Sequence, residues 1–301
     1  MTRSRISLFL LLPCLLAPVW GAGASSTLPS DPELMLRDLT DRQVTLFREA
    51  EEAGDDLDEM NFRTHAQRLA QDYDDFLKRF PDYPPVYAAY GLMLNRLDLR
   101  RQSAAILTKG EEVFTEMAED EGAQTPAFRK DWALLRNLLG NYVAEEGHPV
   151  EASVYFLGAI DLVPDEPLYH YQLGTLLTDA QDEFLLSGDW TRATLEDAMH
   201  EAFRQAAELA PDRIEFVYRY GESFYDLTNP DWDEALTVWS QLEADAQSEV
   251  ERETMQLHRA NVLLRQGKPA EARAALDSVT ESVLQAQRQK LIDQIDAAGA
   301  E

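Results

Sequence analysis

The residues of this chain that could carry chemistry are five histidines, a single cysteine and many carboxylates. The histidines are His65, His148, His170, His200 and His258. They fall on different predicted helices and turns, and none forms a His-x-x-x-His pair or adjoins a cysteine, as a zinc site would require. The sequence therefore predicts no metal site and no cofactor.

One short stretch looks like the beginning of a calcium loop. Asn229, Asp231 and Asp233 alternate as the first ligands of such a loop do, but Glu234 stands where the turn needs glycine. Ser240 stands where a bidentate glutamate is required. We therefore expect Asp231 or Asp233 to begin a helix instead.

The usual catalytic motifs are missing from the sequence. It contains no glycine-rich phosphate loop, nucleophile elbow or zinc-protease helix. With 55 acidic residues, carboxylate pairs arise by chance and are no evidence for acid–base catalysis. The sequence favours a protein without an enzymatic activity. Two alternatives stay open, an envelope enzyme or enzyme subunit with its site near the insertion 178–191, and a surface that accumulates divalent cations.

The elements that would position any site are helical hairpins, and one can be read around Gly140. Gly140 lies in a first amphipathic helix, and after a short turn a second helix carries Ala152, Phe156 and Ala159 before Pro164. Small residues let two helices approach closely, and proline ends the second helix because it lacks an amide proton. The pattern predicts an antiparallel helix pair.

The same arrangement recurs along the chain. Glycine follows proline by ten residues three times, in the pairs Pro81 and Gly91, Pro164 and Gly174, and Pro211 and Gly221. The pattern resembles the tetratricopeptide repeat (TPR), whose period is about 34 residues. The resemblance covers roughly residues 64–279 and implies an all-α, right-handed solenoid of helical hairpins with a C-terminal capping helix. The alternative is an irregular helical bundle with alanine-rich contacts.

The resemblance implies a single solenoid domain over residues 25–301. Its hairpins are expected near 64–120, 126–164, 167–211, 213–245 and 248–279, with a cap at 281–298. The period slips twice. Gly91 and Gly140 are fifteen residues further apart than one period, and Pro211 comes thirteen residues late. We expect lengthened helices at both places.

The N-terminal segment 1–24 is typical of a secretory signal peptide. Arg3 and Arg5 precede an apolar run over residues 6–20, and small residues follow up to Ala24. The run is short for a membrane span, so we expect cleavage after Ala24, no stable membrane span afterwards, and an exported protein.

Cys14 raises the alternative of a lipoprotein. Lipidation would require a small residue directly before the cysteine, where Pro13 stands. Removal of the signal would leave a chain without cysteine, and the sequence contains no Asn-x-Ser/Thr glycosylation site. Together these features favour a bacterial periplasm or cell exterior over a eukaryotic secretory route.

Charge limits the partners that this chain can bind. The formal net charge is −28, and removal of residues 1–24 with their two arginines makes it −30. A nucleic acid would be repelled by such a surface, whereas neutral or basic proteins would not. We expect a neutral or basic protein or peptide as the partner, although an acidic surface also serves solubility alone.

The resemblance also implies where a partner would bind. In TPR proteins the first helix of each hairpin lines a concave groove. Counting from the glycines places Asn95, Asn137, Asn141, Tyr171, Thr175, Tyr218, Glu222 and Tyr225 there. Members that hold a C-terminal carboxylate use lysines where Asn137 and Tyr171 stand, so that mode is not expected. The alternative is that the tyrosines pack between repeats.

Overall fold

The computed structural model of the chain describes residues 31–298, and every regular element in that range is helical. The predicted all-α class is therefore confirmed. The predicted signal peptide, with Cys14, lies outside the described residues.

Fourteen α-helices follow one another along the described residues. They are α1 (Pro32–Ala53), α2 (Glu59–Arg79), α3 (Pro85–Arg96), α4 (Arg100–Ala118), α5 (Pro126–Glu145), α6 (Pro149–Leu162), α7 (Pro167–Asp179), α8 (Gln181–Ser187), α9 (Arg192–Leu209), α10 (Ile214–Ser223), α11 (Trp232–Asp245), α12 (Glu249–Arg265), α13 (Pro269–Leu276) and α14 (Gln285–Ala298). Single turns of 3-10 helix lie at Gly54–Asp56, Glu121–Ala123, Phe224–Asp226 and Ser282–Leu284.

Polar side chains fix the beginnings of several helices. Asp31 precedes α1 and accepts a hydrogen bond from the backbone N–H of Glu33. Asp231 precedes α11 and accepts from the N–H groups of Asp233 and Glu234, each at 3.0 Å. Such caps satisfy amide groups that have no partner within the helix. Of the two residues predicted to begin this helix, Asp231 is the one that precedes it.

The helices pack as consecutive antiparallel pairs. Helix α3 packs on α4, α5 on α6, α7 on α9, α10 on α11 and α12 on α13. Neighbouring pairs are joined through α4 with α5, α9 with α10, and α11 with α12. Because each pair buries its apolar face on the next, the result is an α-solenoid. Helices α1 and α2 pack together at its N-terminal end, and α14 covers α12 and α13 at the other.

A glycine on the first helix and an aromatic ring on the second mark three of these pairs. The facing residues are Gly140 and Phe156, Gly174 and Phe203, and Gly221 and Trp239. Each ring is 2% exposed or less. The three glycines therefore occupy equivalent places in successive hairpins, as the repeat resemblance implies.

The two slips in the period have different structural causes. Helices α4 and α5 are 19 and 20 residues long, so the first excess lengthens helices as predicted. At the second, α7 ends at Asp179 and a separate short helix, α8, follows. The expectation of a simple lengthening is wrong there, although α9 is long at 18 residues. Phe184 anchors α8 by packing edge-on against Trp190, with centroids 5.7 Å apart.

Candidate partner-binding surface

The eight predicted groove residues differ in how much surface they offer. Seven are partly exposed and are called here the first-helix surface: Asn95, Asn141, Tyr171, Thr175, Tyr218, Glu222 and Tyr225. Asn137 is 3% exposed. Its predicted place in an exposed groove therefore needs correction, since the packing around α5 encloses the side chain.

The two asparagines of α5 differ in their hydrogen bonds. The Nδ2 group of Asn141 donates to the backbone oxygen of Asn137 at 3.0 Å. The Oδ1 atom of Asn137 is buried and has no hydrogen-bond partner in the described part of the chain. The side-chain amide of Asn141 is therefore held by its own helix, whereas no such hydrogen bond holds the enclosed Oδ1 atom of Asn137.

Tyr171 belongs both to the surface and to the contact between repeats. Its ring lies 4.8 Å from that of Phe216 on α10 and 5.9 Å from that of Phe203 on α9. Burial raises the pKa of its hydroxyl. Arg219 lies over the ring of Phe203, 4.8 Å from its centroid, and pairs with Glu222. This part of the surface presents a rigid aromatic edge beside an ion pair.

The C-terminal part of the surface is built around His258, for which the sequence predicts no contact with this surface. Its Nε2 atom lies 2.8 Å from the hydroxyl of Tyr218, and its Nδ1 atom lies 3.2 Å from that of Tyr225. The imidazole stacks on the indole of Trp239, with centroids 3.9 Å apart and planes 8° apart. No pattern in the sequence predicts that His258 contacts two tyrosines that precede it by at least 33 residues.

An unpaired cation adjoins this cluster. The guanidinium carbon of Arg265 lies 5.3 Å from the ring centroid of Tyr225 and 5.2 Å from that of Trp232. Within residues 31–298 it makes no ion pair. Cation–π contacts of this kind hold the side chain in place, so Arg265 is a fixed positive group on an acidic protein.

Metal-ligating side chains do not cluster in the described part of the chain. No group of three or more histidine, cysteine, aspartate or glutamate side chains in residues 31–298 could hold a metal ion. In the insertion, Phe184 is buried and Leu186 is 84% exposed, and no observation there favours an active site. None of the helices from α1 to α14 is long and apolar enough to cross a membrane.

The fold defines the class as a TPR-like α-solenoid. No protein-family model matches the sequence, and no curated protein matches it. Among solved structures, the chain resembles YrrB, described as a TPR protein with an unusual peptide-binding site. The TM-score is 0.52 at 16% identity, over 70% of this chain and 91% of that one.

The chain also resembles a second solved structure, that of Naa15/Naa10 bound to HypK-THB. It aligns with a TM-score of 0.50 at 12% identity over 85% of this chain, which spans 34% of that longer one. At these identities the likeness shows the fold alone.

Proposed function

We propose that this protein is an exported scaffold or adaptor that binds a segment of another protein along the first-helix surface. The observation that carries the proposal is the set of seven partly exposed polar and aromatic side chains at matching places on successive first helices, with Tyr225 in the 3-10 turn that continues α10. Carboxamides can bond to a peptide backbone, and tyrosines offer contact area at a small cost in conformational entropy. YrrB, with a similar fold, is described as having a peptide-binding site.

Charge supports a neutral or basic partner. The chain has 55 acidic and 27 basic residues, and many of its arginines are already engaged in ion pairs such as Arg42 with Asp72 and Arg96 with Glu51. A surface of this sign accelerates encounters with a basic partner and repels an acidic one.

The proposal that the protein is exported depends only on the sequence of residues 1–24. A fusion of the chain to a reporter that is active only outside the cytoplasm tests it. Reporter activity that disappears when Arg3 and Arg5 are changed to glutamate is the expected outcome. Equal activity with and without residues 1–24 would contradict it.

Binding is tested with two matched triple variants. The first changes the surface itself through Asn141→Ala, Thr175→Ala and Glu222→Gln. The control changes exposed residues of the second helices through Gln102→Ala, Thr108→Ala and Glu151→Gln. None of these side chains is in the core, so both variants should fold.

The readout is cross-linking and pull-down from the exported fraction, with circular dichroism to verify folding. We expect the first variant to lose its main partner at least tenfold relative to the control. If both variants retain every partner equally, the first-helix surface does not bind partners.

A further inference from the structure

The side chain of His258 connects α12 to three earlier elements of the chain. It meets Tyr218 on α10, Tyr225 in the 3-10 turn that follows α10, and Trp239 on α11. Both tyrosines belong to the first-helix surface. The imidazole therefore lies where the α10–α11 hairpin meets the next one, beneath two side chains that a partner would contact.

The directions of these hydrogen bonds follow from the available donors. A neutral imidazole has one N–H donor and one acceptor nitrogen. The Tyr225 hydroxyl also lies 3.4 Å from the backbone oxygen of His258, to which it can only donate. When its proton is used there, the Tyr225 hydroxyl accepts from the side chain of Asn261 and from the Nδ1–H group of the ring. Nε2 is then the acceptor, and the hydroxyl of Tyr218 donates to it.

We propose that protonation of His258 reverses the hydrogen bond from Tyr218 and so makes the C-terminal part of the first-helix surface dependent on pH. The regulatory part of this inference rests on the proposed function, because it presumes that a partner contacts Tyr218. The proton switch itself is a property of the isolated protein.

Proton accounting explains the reversal. An imidazolium ring has two N–H donors and no acceptor, so a proton taken from solvent by Nε2 occupies the position that the Tyr218 O–H group had used. The Tyr218 oxygen must then accept, and its own proton turns away from the ring. In the neutral state Tyr218 donates inward, and in the protonated state its donor is free for the surface.

The surroundings of His258 set the pH at which this occurs. Burial lowers the pKa of the imidazole to about 4. The ring stacks on the uncharged indole of Trp239. The charged side chains Glu222 on α10 and Arg265 on α12 act on the two tyrosines. No carboxylate pairs with the ring among the described residues. The switch therefore operates under acidic conditions, near pH 4.

The test is nuclear magnetic resonance of the full chain labelled with 15N at histidine. At pH 7 we expect His258 to be in the Nδ1–H tautomer, with a titration midpoint near pH 4. His65 and His148 are exposed and serve as references in the same spectra. A Tyr218→Phe variant should shift the His258 midpoint by at least half a pH unit and leave both references unchanged.

Tyr142→Phe is the matched control, since Tyr142 is partly exposed on α5 and far along the chain from this cluster. The proposal is overturned if His258 is in the Nε2–H tautomer at pH 7, or if it titrates together with His65. Because no partner is present in the experiment, either result leaves the binding proposal to be judged by the pull-down.

Discussion

Gly174 lies directly against the ring of Phe203, although the two residues are 29 positions apart in the chain. A Cβ atom added at Gly174 would come within 2.8 Å of the Cε1 atom of that ring. The equivalent pair Gly140 and Phe156 is only 16 positions apart, with a corresponding distance of 2.7 Å. The same glycine–ring contact therefore joins α7 to α9 and α5 to α6, although α8 lies between α7 and α9 in the chain.

Gly174→Ala should destabilise the protein because of this contact. Alanine favours a helix over glycine by about 1 kcal/mol, but overpacking a rigid core costs about 1–3 kcal/mol. We expect a net loss of up to about 2 kcal/mol in the free energy of unfolding, measured by urea denaturation. In a Phe203→Leu background the same substitution should be neutral or stabilising. A Gly174→Ala variant with an unchanged or higher midpoint in the native background would contradict the contact.

The sequence predicted the repeating contacts because they are local and depend on size. A glycine in one helix and an aromatic residue in the next leave a readable spacing, as Gly140 and Phe156 show. The exposure of individual surface residues was harder to predict, since it depends on how the next hairpin packs. Asn137 and Tyr171 occupy equivalent sequence positions, yet one is enclosed and the other keeps an exposed edge.

The contacts of His258 could not be predicted from the sequence. Its role depends on two hydroxyl groups and one indole from other helices, and none of these contacts has a fixed spacing. The structure of the insertion 178–191 could not be predicted either, because an excess of thirteen residues can lengthen a helix or form a new one. The separate helix α8 begins after Ala180, without a proline or glycine before it to indicate the break.

Glu196 should stabilise the loop that connects α10 to α11. Its buried carboxylate accepts from the backbone N–H of Thr228 at 2.7 Å and from the Thr228 hydroxyl at 3.0 Å. Hydrogen bonds to a charged group contribute about 1.5–3 kcal/mol. We expect Glu196→Gln to lower the free energy of unfolding by about 1–2 kcal/mol and to accelerate amide exchange at Thr228.

The matched control for that substitution is Asp197→Asn, on the adjacent exposed position of α9. It should leave both the urea midpoint and the exchange at Thr228 within error of the unmodified protein. Equal effects of the two substitutions would mean that the carboxylate of Glu196 is not what holds the loop.

Asp131 on α5 should destabilise the protein at neutral pH. Burial raises its pKa from 3.8 to about 6, so the folded state holds this proton more tightly than the unfolded state does. Ionisation above pH 6 therefore opposes folding, by up to about 3 kcal/mol for this shift. Asp131→Asn should raise the free energy of unfolding at pH 7.5, and the gain should disappear by pH 4. The exposed residue Asp41 provides the control variant Asp41→Asn, and a gain that is the same at both pH values would contradict the prediction.

His258 should have the opposite dependence on pH. Burial lowers its folded-state pKa to about 4 from the ordinary histidine value of 6.5, so between these values the unfolded chain binds more protons than the folded protein. The stability that the neutral ring provides is present above pH 6.5 and is lost as the pH falls to 4, by about 3 kcal/mol in total. Urea denaturation of the unmodified protein and of His258→Gln, compared at each pH from 7 to 4, measures this loss directly. The advantage of the unmodified protein should shrink steadily over that range. His65→Gln, at an exposed position, provides the matched control variant. An advantage at His258 that stays constant from pH 7 to 4 would show that the ring is not buried in neutral form between Tyr218 and Tyr225.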